Sequence, residues 1–171
     1  MRKLRIYLDT SVISYLDQTD SPERMKQTQE LWKILMMGKY EIVISDLGIE
    51  EINKCEQDKI EMFNYYLAKI NYELVKTTDE IEELANEIIK EKILTPKSFN
   101  DCEHIASAIL SNCDIILSWN FKHIVNLRTI TGVRKITFAN RYNNIDIYAP
   151  YVLLGEKGGT GHEGTKIESK I

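Results

Sequence analysis

Asp9 ends the short apolar run Ile6-Tyr7-Leu8 and opens the stretch Asp9-Thr10-Ser11-Val12. A carboxylate released where a strand ends, followed by hydroxyl residues able to start a helix, is a common build for a metal or phosphate site in a parallel α/β sheet. The same residues also make an ordinary helix cap, so Asp9 alone decides nothing. Further along, Glu50 and Glu51 fall in the first turns after a β-rich run that ends near Ser45. Asp101 stands one turn ahead of the apolar Ile105, and Ser118 and Asn120 directly follow Ile115-Ile116-Leu117. If these residues share one rim, each pair of carboxylates ~4 Å apart costs about 4 kcal/mol at an effective dielectric near 20, which a divalent cation would reverse. All-oxygen ligation without thiols or paired histidines suits Mg²⁺ or Mn²⁺. Such a site serves phosphodiester hydrolysis, in which the ion activates a water and stabilises charge developing on the phosphate.

The residues meet only if the chain builds the right scaffold. Short β-rich runs at 5–8, 41–44, 72–75, 115–117 and 136–138 alternate with helical patterns, the signature of a parallel sheet covered on both faces. Ser21-Pro22 caps a helix to about Met37, ended by Gly38, and Ile60, Phe63, Leu67 and Ile70 recur at helical spacing. Thr77 and Glu80 form a capping box ahead of Ile81, Leu84, Ala85 and Ile88, while Cys102, Ile105, Ala106 and Ile109 make another apolar stripe. In a parallel sheet each crossover helix runs back against the strands, so helix N-termini and strand C-terminal ends lie on one side. Polar groups from distant parts of the chain then converge there.

The 171 residues fit one domain with a sizeable core, placed at 1–154, and contain no internal repeat. Residues 155–171 hold five glycines and no aromatic residue, too little apolar area to offset ordering entropy, so a flexible tail is expected. His162 lies in it and reads as a solvated residue rather than a ligand. A net charge of -4 argues against a general polyanion binder. Nucleic-acid contact must come through metal ions or a local basic patch, for which Lys90, Lys92, Lys97, Lys122, Arg128, Arg134 and Lys135 are the candidates. Cys55, Cys102 and Cys113 lack metal-type spacing and read as buried small hydrophobes in a reducing, cytoplasmic compartment. No apolar run approaches the ~18 residues of a membrane span. The stretch after Met1-Arg2-Lys3 is too short for a signal peptide.

The motifs Leu8-Asp9-Thr10-Ser11-Val12, Glu51, Asn100-Asp101-Cys102-Glu103-His104-Ile105-Ala106-Ser107-Ala108 and Asp114-Ile115-Ile116-Leu117-Ser118-Trp119-Asn120 occur in that order. Together they resemble the PIN domain, the nuclease fold of VapC-type toxins, over about residues 4–154. The resemblance implies a three-layer α/β/α sandwich with a five-stranded parallel sheet in the order 3-2-1-4-5. Its acidic site would lie at the strand C-terminal ends and hold one or two Mg²⁺ or Mn²⁺ ions. It implies a metal-dependent endoribonuclease acting on RNA, a toxin that forms a homodimer and is silenced by a small antitoxin protein. Asp9, Glu51 and Asp101 match the three metal-binding acids, although spacing alone does not separate Glu51 from Glu50. Ser118 matches a hydroxyl that hydrogen-bonds the first acid. Asn120 departs from the pattern, since many members carry a fourth acid there; an amide can still coordinate through its oxygen but adds no charge. Trp119-Asn120-Phe121-Lys122-His123 nonetheless resembles a subset of the family.

Around these acids stand Thr10, His104, Lys122 and His123. His104, three residues after Asp101 on a helix, reads either as a contact to a ligated carboxylate or phosphate, or as a histidine half-buried against the sheet. Lys122 and His123 read as substrate contacts or as a solvated loop. Trp119 reads as core or lid packing ahead of a base-stacking platform. Two other functions stay open: a PIN-like binding or scaffold module that cleaves nothing, and a phosphatase of haloacid-dehalogenase type. The latter wants a second acid two residues after the first, where this chain has Ser11.

Overall fold

Five short strands pair side by side in one parallel sheet: β1 (Arg5–Leu8), β2 (Glu41–Ser45), β3 (Tyr72–Val75), β4 (Ile115–Leu117) and β5 (Asp146–Tyr148). The order is β3-β2-β1-β4-β5 in a computed structural model that describes residues 1–157. Most of the glycine-rich segment expected from residue 155 onward, His162 included, lies outside the described residues.

Both faces of the sheet are covered, which is why its central strands read as unbroken apolar runs. Side chains alternate along β1. Ile6 and Leu8 point to one face, where they join Leu31 and Trp32 of α2 (Pro22–Leu35) and Phe63 of α4 (Gln57–Leu67). Tyr7 points to the other, among residues of α5 (Asp79–Lys90), α6 (Phe99–Leu110) and α7 (Leu127–Ala139), including Ile88, Ile105 and Ile136. Each of these fully buried aliphatic side chains contributes roughly 1.5–3 kcal/mol. The result is the expected three-layer α/β/α sandwich. Two short helices, α1 (Thr10–Ser14) and α3 (Asp46–Ile52), begin directly at the ends of β1 and β2.

Two expectations need correction. Residues 136–138 are not the fifth strand but the end of α7; β5 lies at Asp146–Tyr148. Ile136-Thr137-Phe138 has β-favouring residue types, yet Thr129, Val133, Ile136 and Thr137 bury one helical stripe. Asn126 caps that helix by accepting from the Thr129 N–H at 3.0 Å. The second correction is a shift of one residue. Thr78, not Thr77, caps α5 by accepting from the Ile81 N–H, while the Thr77 amide and hydroxyl both donate to the Asp46 carboxylate.

β1 pairs with β2 through Tyr7–Val43 and with β4 through Tyr7–Ile116. The strand order therefore reverses at β1 and β4, and a crevice opens beyond their C-terminal ends. Asp9 stands at its mouth, its amide still paired with the Leu117 carbonyl at 3.1 Å.

Candidate functional site

Asp9 is nearly fully buried and held from three sides. Its Oδ2 accepts from the hydroxyls of Ser11 at 2.7 Å and Ser118 at 2.8 Å, and more weakly from the Ser11 N–H at 3.4 Å. Ser11 Oγ accepts in turn from the Trp119 N–H, and Ser118 Oγ from the Asn120 N–H. The start of α1 and the loop after β4 are thus tied together across the switch point. Ser11, absent from the sequence-based site, is central to this linkage; only its place at the start of the helix after Asp9 hinted at it.

Glu51 arrives from α3. Its Oε1 lies 2.7 Å from Nε2 of His104, a residue of α6 that is 2% exposed. The same nitrogen stands 3.7 Å from Asp9 Oδ1 and 3.2 Å from the Thr10 hydroxyl. Glu50 is exposed and makes none of these contacts, so the geometry separates the two glutamates where spacing did not. On the far side of His104, Nδ1 meets the Tyr7 hydroxyl at 2.6 Å, and that hydroxyl donates to Ser45 Oγ at 2.8 Å. Because carboxylates only accept, Nε2 carries the hydrogen shared with Glu51, while the direction of the Nδ1–Tyr7 hydrogen bond follows the protonation state of the ring. Burial pushes the His104 pKa down. The Glu51 hydrogen bond and the charges of Asp9, Glu51 and Asp101 outweigh that and raise it. Tyr7 was also missed by the sequence reading, and its signal was a hydroxyl on a strand buried on both faces, where the group must find a partner.

Asp101, in the first turn of α6, is the third acid. Its carboxyl pKa is raised, first by burial and next by the charge of Asp9, with Glu51 adding to the effect and His123 and His104 opposing it. Asn120 Nδ2 donates to Asp101 Oδ1 at 3.2 Å, and Asn120 Oδ1 accepts the His123 N–H at 2.9 Å. His123 Nδ1 is 3.4 Å from Ser98 Oγ, while Lys122 is exposed. Trp119 is 4% exposed and donates to Thr28 Oγ1, which makes it packing between the loop and α2.

A family model described as "PIN domain" matches residues 6–122. The chain belongs to the PIN domain family. No curated protein matches the sequence. Among solved structures, a chain of VapBC2 from Rickettsia felis, bound to a DNA fragment from their promoter, is 16% identical with a TM-score of 0.56. The match covers 85% of this chain and 98% of that one. VapBC-1 from nontypeable Haemophilus influenzae gives 15% identity and a TM-score of 0.54, over 86% of this chain and 98% of that one. At these identities the likeness establishes the PIN fold.

The donor set of this PIN domain fits a hard divalent cation: Asp9, Glu51 and Asp101 offer oxygen, and Asp101 is a half-buried acid whose ionisation its neighbours oppose. Among the described residues no group of three or more His, Cys, Asp and Glu is arranged so that it could hold a metal ion as it stands. The cysteines take no part; burial pushes the thiols of Cys102 and Cys113 up to about 12. The expected basic patch is divided. Lys92, Arg128 and Lys135 line a groove of about 780 Å³ between α5 and α7 together with Glu87 and Glu91, and only Lys97 and Lys122 sit on segments next to the site. Among the described residues no helix is long and apolar enough to cross a membrane.

Proposed function

We propose that this PIN domain is a divalent-metal-dependent endoribonuclease that hydrolyses RNA phosphodiester bonds, and that it is the toxin component of a toxin–antitoxin pair. The observation that supports the reading is that Glu51 and, at 3.7 Å, Asp9 both face the buried imidazole of His104, while Asp101 from a third segment lies near enough for their charges to raise its pKa. When bound, a Mg²⁺ or Mn²⁺ ion supplies an activated water and neutralises charge developing on the phosphate. Asp9, Glu51 and Asp101 would hold it, with the second lone pair of the Asn120 amide oxygen beside them. Ser11 and Ser118 fix one oxygen of Asp9, which leaves the other for the ion. His104 orients Glu51 and, through Tyr7 and Ser45, is itself held against the sheet. No nucleophilic side chain is required. Lys122, His123 and Thr10 are placed to meet the RNA or the carboxylates at the rim. A homodimer, a small antitoxin partner and a cytoplasmic location complete the proposal, supported by the fold it shares with the VapBC chains.

Cleavage of a mixed RNA pool in Mn²⁺ tests the reading. Asp101→Asn removes a charge from the ion without adding bulk, so activity should fall at least tenfold with melting behaviour retained. Glu50→Gln, outside the site, serves as the control. Undiminished cleavage by Asp101→Asn would leave the metal mechanism without support, and an inert wild type would favour a binding module.

A further inference from the structure

We propose that Arg24 is a positioning residue for the RNA strand, its guanidinium held by an aromatic cradle beside the acidic site to grip a phosphate neighbouring the one cleaved. The inference rests on the nuclease reading above. Arg24 stands in the first turns of α2, with its guanidinium carbon 5.0 Å from the ring centre of Phe121, 5.5 Å from that of Trp119 and 6.0 Å from that of Tyr15. Each ring sits on a segment adjoining the acidic site: Tyr15 directly follows α1, Trp119 donates its amide to Ser11, and Phe121 follows Asn120. The helix is fixed in place as well. Trp119 Nε1 donates to Thr28 Oγ1, and that hydroxyl donates to the Arg24 carbonyl at 2.7 Å.

Among the described residues no ion pair joins Arg24 to a carboxylate. Aromatic faces attract a guanidinium without neutralising it, so the charge and the fork of N–H donors remain available. That fork matches two phosphate oxygens at once. The need is plain on charge grounds. The chain carries -4 overall and its site is a cluster of acids, so a phosphodiester approaching it meets repulsion that a nearby fixed cation offsets. A side chain already ordered by three rings loses less freedom on binding than a solvated lysine.

The test measures binding of a labelled single-stranded RNA oligonucleotide in Ca²⁺ across a salt series, and steady-state cleavage in Mn²⁺. Arg24→Gln should weaken binding about tenfold and reduce the slope of log affinity against log salt by about 0.7, the value of one phosphate contact on a single strand. In cleavage KM should rise about tenfold while kcat falls less than threefold. Arg24→Lys, which keeps the charge and loses the fork, should retain the salt slope with intermediate affinity. Arg24→Met preserves the stem against the rings and takes the place of Arg24→Gln if that variant does not fold. A neutral variant with the wild-type salt slope overturns the assignment, because a purely structural arginine alters stability but not the number of counterions released. If wild type cleaves RNA and that slope is unchanged, only the Arg24 role falls. If wild type cleaves nothing but the slope change is found, the nuclease reading falls and Arg24 stands as an RNA contact. A protein that binds no RNA at all sinks both.

Discussion

Asn120 has a defined job at the residue scale. Its amide lies between a carboxylate, Asp101, and a backbone donor, His123, giving a hydrogen to one and an oxygen to the other. An aspartate there would keep the second contact and turn the first into two carboxylates 3.2 Å apart. The lost hydrogen bond is worth about 1 kcal/mol, and repulsion between partly exposed, screened charges adds a similar amount. Asn120→Asp should therefore lower the melting temperature of the metal-free protein at pH 7 by roughly 4–8 °C, at about 2–4 °C per kcal/mol for a chain of this size. The same added charge should tighten Mn²⁺ binding, so the loss should be recovered when the ion is added. Calorimetric melts with and without Mn²⁺ measure both effects, and a variant that melts like wild type in each condition would separate residue 120 from the acids.

At the scale of elements, the segment that follows α5 approaches α7 closely enough that Gly132 has a packing role. A Cβ built there would stand 2.5 Å from Cγ1 of Ile93 and 2.8 Å from both Cγ2 and Cδ1. Those atoms surround the branch point of a stiff side chain, so the whole isoleucine must move. Gly132→Ala should cost about 1–3 kcal/mol despite the ~1 kcal/mol gain in helix propensity, and combining it with Ile93→Ala should give back part of that loss. A denaturant double-mutant cycle reads the coupling, and additive losses would mean that the two residues do not touch. This helix is also where the sequence misled. Four strands and the parallel architecture were legible: β1, β2 and β4 are short, bounded apolar runs buried on both faces, while the largely exposed β3 was carried by its β-favouring residue types. Ile136-Thr137-Phe138 looks the same locally, and what makes it helical is the Asn126 cap and the buried stripe at 129, 133 and 136. The true β5, Asp146-Ile147-Tyr148, buries only Ile147 on the sheet's edge and so carries little signal. The acids at the rim were legible by type and order. The Tyr7–His104–Glu51 chain was not, because it depends on which way each side chain turns.

Over the whole molecule, the site holds more negative charge than it can keep ionised at no cost, and the buried imidazole of His104, whose proton affinity those charges raise, is the group placed to offset them. His104 and Asp101 both have folded-state pKa values raised above their ordinary ones. A raised pKa gives stability that is complete below the unfolded value and is lost as pH climbs through the folded value. For Asp101 that loss begins above about pH 4, where an unfolded carboxyl ionises; for His104 it begins above about pH 6.5. Asp114 acts in the opposite direction. Its hydrogen bond to Arg2 is the main cause of a lowered pKa, so its contribution is present above about pH 4 and disappears as acid is added. The metal-free protein should consequently melt at progressively lower temperature as pH rises above about 6.5, where the unfolded chain's histidine gives up its proton before folded His104 does. Mn²⁺ should stabilise more at the alkaline end, because protons then compete less with the ion for the carboxylates. His123 also faces Asp101, so the wild-type profile alone does not assign the effect. His104→Gln can still donate to Glu51 but carries no charge; it should melt lower than wild type near pH 6 and show little further decline to pH 8.5. If His104→Gln declines across that window as steeply as wild type, the buried imidazole is not what balances the three carboxylates.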